Sequence, residues 1–156
     1  MLFGSAAATV AEDLPVHRGS AEVTGPAMLK LEGKRILLWG VDAPVRGQPC
    51  HSGNKTWDCA TASAKTLLNI VGNQEISCET RRVDQFGRVF AVCKAGETDI
   101  NRALVEAGMA VALPEETTDY VAAEETAKSK SIGVWRGPFM APADYREMQT
   151  GHPQER

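Results

Sequence analysis

Asp42 closes the apolar run Ile36-Leu37-Leu38-Trp39-Gly40-Val41, the pattern of a strand that carries a carboxylate to its end. Such a carboxylate could contact an ion or ligand, or it could bond backbone N–H groups two residues on and fix the turn at Ala43-Pro44. Its neighbours Leu37, Ala43 and Val45 are apolar. Arg88 follows the turn glycine of "DQFGR" and is placed to pair with Asp84 across a hairpin. Arg35 lies two residues before Leu37, on the same strand face and about 6–7 Å away. Arg46 follows Val45 in a loop whose direction the sequence does not fix. Guanidiniums of this kind bind phosphate or carboxylate bidentately. His17 and His152 have no Ser or Cys partner at a spacing that would suit nucleophilic catalysis.

The four cysteines fall into two local couples, Cys50 with Cys59 and Cys78 with Cys93. Loops of this size gain roughly 2–3 kcal/mol from a disulfide. The rival use of the first couple is a metal site with His51. Against it, no C-x-x-C spacing is present, and adjacent ligands such as Cys50 and His51 rarely point the same way. Paired cysteines fit an exported protein, periplasmic or secreted. Residues 1–18 begin with a short Ala-rich apolar stretch and are expected to be a signal-peptide remnant or an N-terminal arm.

The composition is that of a globular protein: 156 residues, 43% hydrophobic and 24% charged, with a formal net charge of −3. One domain with one core is expected. A protein gripping nucleic acid through phosphates usually carries a basic excess, and none is visible overall. No apolar run reaches the roughly 18 residues of a membrane span.

Two short strands precede the Asp42 strand, one over 19–24 and one over 28–31, the second ending in a turn at Glu32-Gly33. Residues 42–56, rich in Pro and Gly, read as a loop. Ala60, Ala64, Leu67, Leu68 and Val71 then recur at helical spacing and stop at Gly72. Ile76 to Thr80 and Val89 to Cys93 read as a hairpin, and helices follow over about 99–107 and 117–130. Residues 138–156 show little periodicity and are expected to wrap the surface or hang free. Five strands with a helix between the third and fourth make an α+β, mainly β, five-stranded Greek-key OB barrel with three helices.

"RILLWGVDAP", "VDQFGRVFAVC" and "KSKSIGVW", in this order, resemble the staphylococcal-nuclease-like (thermonuclease) family, in its exported bacterial branch with paired cysteines. The resemblance covers 19–137. It implies a calcium-dependent phosphodiesterase in which carboxylates hold the cation, a glutamate orients water and arginines neutralise the phosphate. Aligned on that pattern, the metal aspartate falls on Ala27, the third-strand arginine on Leu37 and the glutamate on Val45, while Ala43 follows the one aspartate that persists. Asp42 and Arg88 are the remnants of the family site.

The sequence therefore predicts a catalytically degenerate module that binds a protein partner or contributes to an assembly. Met28, Leu37, Val45, Arg35 and Arg46 are the candidate contacts. No cofactor is expected, calcium entering at Asp42 only if activity persists, and nucleic acid is not the expected partner. The alternatives are a rearranged calcium-dependent nuclease on single-stranded DNA or RNA, built from Asp42, Arg35, Arg46 and Arg88, and an oligosaccharide-binding OB module.

Overall fold

The computed structural model describes residues 13–153 and 156. The expected signal remnant lies mostly outside these residues. The described part of that arm holds a strand, β1 (Val16–Gly19), followed by β2 (Glu22–Gly25), β3 (Met28–Leu31), β4 (Lys34–Leu38) and the short β5 (Val41–Asp42). Then come β6 (Pro49–Ser52), β7 (Lys55–Asp58), helix α1 (Cys59–Val71), β8 (Ile76–Val83), β9 (Val89–Ala95) and β10 (Thr98–Asp99). Helix α2 (Ile100–Glu106), β11 (Val111–Ala112), α3 (Val121–Ser129), a 3₁₀ turn (Gly133–Arg136) and α4 (Pro142–Thr150) complete the chain.

The main sheet runs β1-β8-β9-β4-β3-β2, with β10 added to β9. The β4–β9 pair is parallel, Leu37 facing Phe90, and the other pairs are antiparallel. This mainly-β sheet with helices against it is of the expected OB-type class, with four α-helices among the described residues rather than three. The core lies between the sheet and the helices and centres on Leu29, Ile36, Leu38, Leu67, Ile76, Ile100 and Leu104. Helix α1 turns Ala60, Leu67 and Val71 inward, whereas Leu68 is 55% exposed, against the expectation that it packs inside. It sits on the flank of the stripe, one helical step of about 100° beyond Leu67.

Two segments are more regular than their composition suggests. Residues 49–58 form the β6–β7 hairpin instead of a loop, because Gly53-Asn54 supplies a two-residue turn with Gly53 at φ +59°. The stretch after residue 137 contains α4, with Pro142 in its first turn and Gly151 closing it at φ +72°. Proline inside the start and glycine past the end are favourable places for both. Cys50–Cys59 and Cys78–Cys93 are bonded, as the spacing suggests. Cys50 and Cys59 are thereby consumed, which removes the alternative of a metal site with His51.

Candidate binding site

Three buried devices bring the chain to the site. Asn101, fully buried, accepts from the Cys93 N–H and donates to the carbonyls of Trp39 and Ala91, pinning the end of β4 to β9. Gly40 then reverses the chain at φ +77° with Thr117 and Tyr120 packed so closely that a Cβ would lie 2.4 Å from a Thr117 carbon. The Gly40 N–H donates to Glu116 Oε2 at 2.8 Å. Asp42 emerges immediately after, in β5, paired with Val111 of β11.

The Asp42 carboxylate is 5% exposed and both of its oxygens are taken by Arg146 of α4, at 2.8 and 2.6 Å. Such a bidentate pair is the strong form of the interaction. The expected Asx-type turn is not what holds Asp42: the residue two positions on is Pro44, which has no N–H to offer. Arg88 does what the sequence suggests. Its Nε donates to Asp84 at 2.6 Å, and the other Asp84 oxygen accepts the N–H groups of Phe86 and Arg88. Burial works against the Asp84 charge, but the bonds from Arg88 and Phe86 win and hold its carboxyl below the usual range.

Arg88 also donates to the main-chain oxygen of Arg156 at 2.6 Å. The Arg156 guanidinium in turn donates to the carbonyls of Leu38 and Val41 and to Glu116. Arg82, Arg156 and Arg88 stand over the buried Phe90 ring at 4.0, 5.2 and 5.7 Å, within cation–π range.

These groups surround a pocket of about 430 Å³. Pro26, Ala27, Met28, Leu37, Ala43, Pro44 and Val45 form an aliphatic floor, and Arg46, Arg88, Arg146 and Arg156 form the rim. Asp42 is the one carboxylate in the lining. The structure thus gathers Ala27, Met28, Leu37, Asp42, Ala43, Val45, Arg46 and Arg88 as the sequence suggests. Leu37 and Ala27 are each only 6% exposed, so they are floor rather than open patch. Arg35 does not join them; it reaches instead to the Phe86 carbonyl at the tip of the β8–β9 hairpin. Arg146, Arg156 and Glu116 have no counterpart in the sequence reading. The Pro142 start of α4 was the one local signal, and it says nothing of where Arg146 would land.

A profile for the staphylococcal nuclease homologue family matches residues 35–137, two thirds of the chain. The chain belongs to this family. It is similar to a succinoglycan biosynthesis protein of Rhizobium meliloti, 34% identical over 125 residues covering 76% of this chain and 64% of that protein. A probable endonuclease of Phaeosphaeria nodorum is 26% identical over 89% of this chain and 54% of its own length. An uncharacterized endonuclease of Haemophilus influenzae is 31% identical over 65% and 53%. The chain thus spans about half to two thirds of the curated relatives it matches. Helix α4 and Arg156 lie beyond the residues the family profile covers.

The residues of the pocket do not fit the family's calcium. A calcium ion takes about six to eight oxygen ligands, several of them carboxylates. Ala27 and Val45 bring no side-chain oxygen, and both Asp42 oxygens are committed to Arg146. Among the described residues no three His, Cys, Asp or Glu side chains cluster in a metal-binding arrangement. Ala27 keeps φ +52°, a left-handed shape that Asp and Asn tolerate better than other side-chain-bearing residues. The turn thus has a left-handed form, and its side chain carries no ligand atom.

Proposed function

We propose that this chain is a non-hydrolytic member of the staphylococcal nuclease homologue family, a binding module that takes a protein partner or joins an assembly outside the cytoplasm. The observation that carries this reading is the pairing of Asp42 with Arg146, which occupies the one carboxylate of the pocket. The loss of charge at Ala27, Leu37 and Val45 supports it further. An aliphatic floor favours burial of apolar side chains over hydrated phosphate. The two disulfides support export, and among the described residues no helix is long and apolar enough to cross a membrane. The relative named for succinoglycan biosynthesis supports an assembly concerned with making a glycan as the setting.

A second reading has a specific observation in its favour: relatives are named endonucleases, and Arg88 stands at the pocket beside three more guanidiniums. It is a rearranged nuclease on single-stranded DNA or RNA. The discriminating experiment is cleavage of a fluorescent single-stranded oligonucleotide by highly purified protein, with millimolar calcium and then with chelator, beside an Asp42→Ala/Arg88→Ala variant. The non-hydrolytic reading expects no cleavage above that of the variant. Calcium-dependent cutting that the variant lacks would establish the nuclease instead.

A further inference from the structure

The pocket is the middle of a longer groove. Gly25, Pro26 and Arg46 also line a hollow against α1, whose other walls are Val23, Thr24, Ala60, Thr61, Ala64, Lys65 and Leu68. On the opposite side Asp42, Arg146 and Arg156 are shared with a hollow bounded by Trp39, Arg82, Leu113, Glu115 and Glu116. Three cations stand at successive stations along this line: Lys65, Arg46 and Arg82. Among the described residues none of them makes an ion pair, Arg46 donating only to the Thr24 carbonyl at 3.1 Å. Of the carboxylates in the groove, Asp42 and Glu116 are paired internally, and Glu115 faces the third hollow beside Arg82. The groove is therefore basic in a chain whose net charge is −3, most strongly over its first two hollows.

Between the cationic stations the walls are aliphatic, with Val23, Leu68, Pro26, Met28 and Val45 accessible in part. No aromatic side chain lines the first two hollows, and Phe90 is sealed beneath guanidiniums. Single-stranded nucleic acid gains about 1–3 kcal/mol per base from stacking on aromatics, and this stretch offers it no aromatic ring. The groove also shows how it treats a polypeptide: Arg88 donates to the chain's own main-chain oxygen at Arg156.

We propose, building on the non-hydrolytic reading, that the groove binds an extended acidic peptide segment of a partner protein. Carboxylates of the segment meet Lys65, Arg46 and Arg82, the three cations without an internal ion pair, and aliphatic side chains between them fill the wells formed by Leu68, Met28 and Val45. The acidic side chains set the charge match and the aliphatic ones supply the buried area.

The test is fluorescence anisotropy with the full disulfide-bonded chain and three labelled probes of equal length. These are a peptide of interspersed Glu, Leu and Gly, the same peptide with Gln for Glu, and an oligothymidylate. The Glu peptide is expected to bind at least tenfold more tightly than the Gln peptide, and to weaken as salt rises. Arg46→Gln with Lys65→Gln is expected to lower that affinity at least tenfold without moving the melting temperature, since neither side chain has an internal ion pair. Equal binding of the two peptides, tighter binding of the oligothymidylate, or unchanged affinity in the variant would each overturn the proposal. Calcium-dependent cleavage in the assay above would strike the non-hydrolytic reading alone, so the two failures are distinguishable.

Discussion

The pocket has two walls of different origin and different construction. One wall, β4, β5 and the β8–β9 hairpin, lies within the span that matches the family, and the core and the β ladder hold it in place. Its arginine, Arg88, pairs with a neighbour four residues away, and Asp84 keeps two backbone N–H donors whatever Arg88 does. The other wall, α4 and Arg156, lies beyond that span and rests on polar contacts. Arg146 holds Asp42, Gln48 Nε2 donates to the Met140 carbonyl at 2.7 Å, and Tyr145 donates to the Gly47 carbonyl. Of α4 itself only Pro142 is buried. A wall fixed by packing cannot leave without unfolding the domain, whereas one fixed by a few polar contacts can open with the fold intact. Leu37 of the first wall thus faces a pocket rimmed in part by guanidiniums of the second, which rest on a support of a different kind.

The largest effect should come from a tight backbone crossing that belongs to neither wall and serves as the reference for both. Gly133 crosses Gly108 at φ +57°, and a Cβ there would lie 2.1 Å from the Gly108 carbonyl oxygen. Gly133→Ala is expected to cost about 4 kcal/mol or more, read as loss of a cooperative transition in urea. Stability within about 1 kcal/mol of the parent would show that the crossing can relax.

Next comes the contrast between the two arginines. Arg146→Ala strands a largely buried carboxylate and is expected to cost about 2–3 kcal/mol, somewhat less than for a fully buried pair because Arg146 retains some exposure. Arg88→Ala should lower the melting temperature less, because the backbone donors still serve Asp84. The reverse order would mean that α4 contributes nothing to holding Asp42.

The pH dependence of the melting temperature sharpens the same contrast. Asp84 and Asp58 both titrate below the ordinary value of 3.8, Asp58 chiefly through its bond from Thr61. Their contribution is complete above about pH 4 and should fade as pH drops through their folded values. Tyr120, pushed up by burial and then by Asp99, acts at the other end. Its contribution is complete below about pH 10 and is lost as pH rises further. A shallower acid limb in Arg88→Ala would place part of the acid sensitivity in the hairpin wall; a limb identical to the parent's would place it in the backbone donors of Asp84 and in Asp58.

The smallest effect concerns the floor. Ala27→Asp restores a carboxylate where the backbone suits one, and it should weaken the acidic peptide by about tenfold through like charge, on the order of 1 kcal/mol. Unchanged affinity would remove Ala27 from the contact surface.

Local chemistry was legible in the sequence wherever it is local in the fold. The periodicities of β4, β8, β9, α1 and α2 and the Asp84–Arg88 pair depend on residues within one element or one turn, and each disulfide joins elements at most 15 residues apart, so spacing pointed to them. Two local signals, Gly53-Asn54 and the Pro142 to Gly151 frame, were present too, but a Pro- and Gly-rich composition hid them. The partner of Asp42 was not legible at all. Arg146 lies 104 residues away, and Arg156 reaches Val41 across 115. Residues 138–156 show too little periodicity to tell which face of α4 turns inward, and nothing in them tells which carboxylate that face will meet. That depends on how α4 docks beside β5 and on the reversal at Gly40. The sequence by itself placed uncharged residues, Ala27, Leu37 and Val45, at the positions to which the resemblance assigns charge. The tertiary structure alone decided that guanidiniums from a distant segment line the same pocket, because charge pairing follows distance in space and not along the chain.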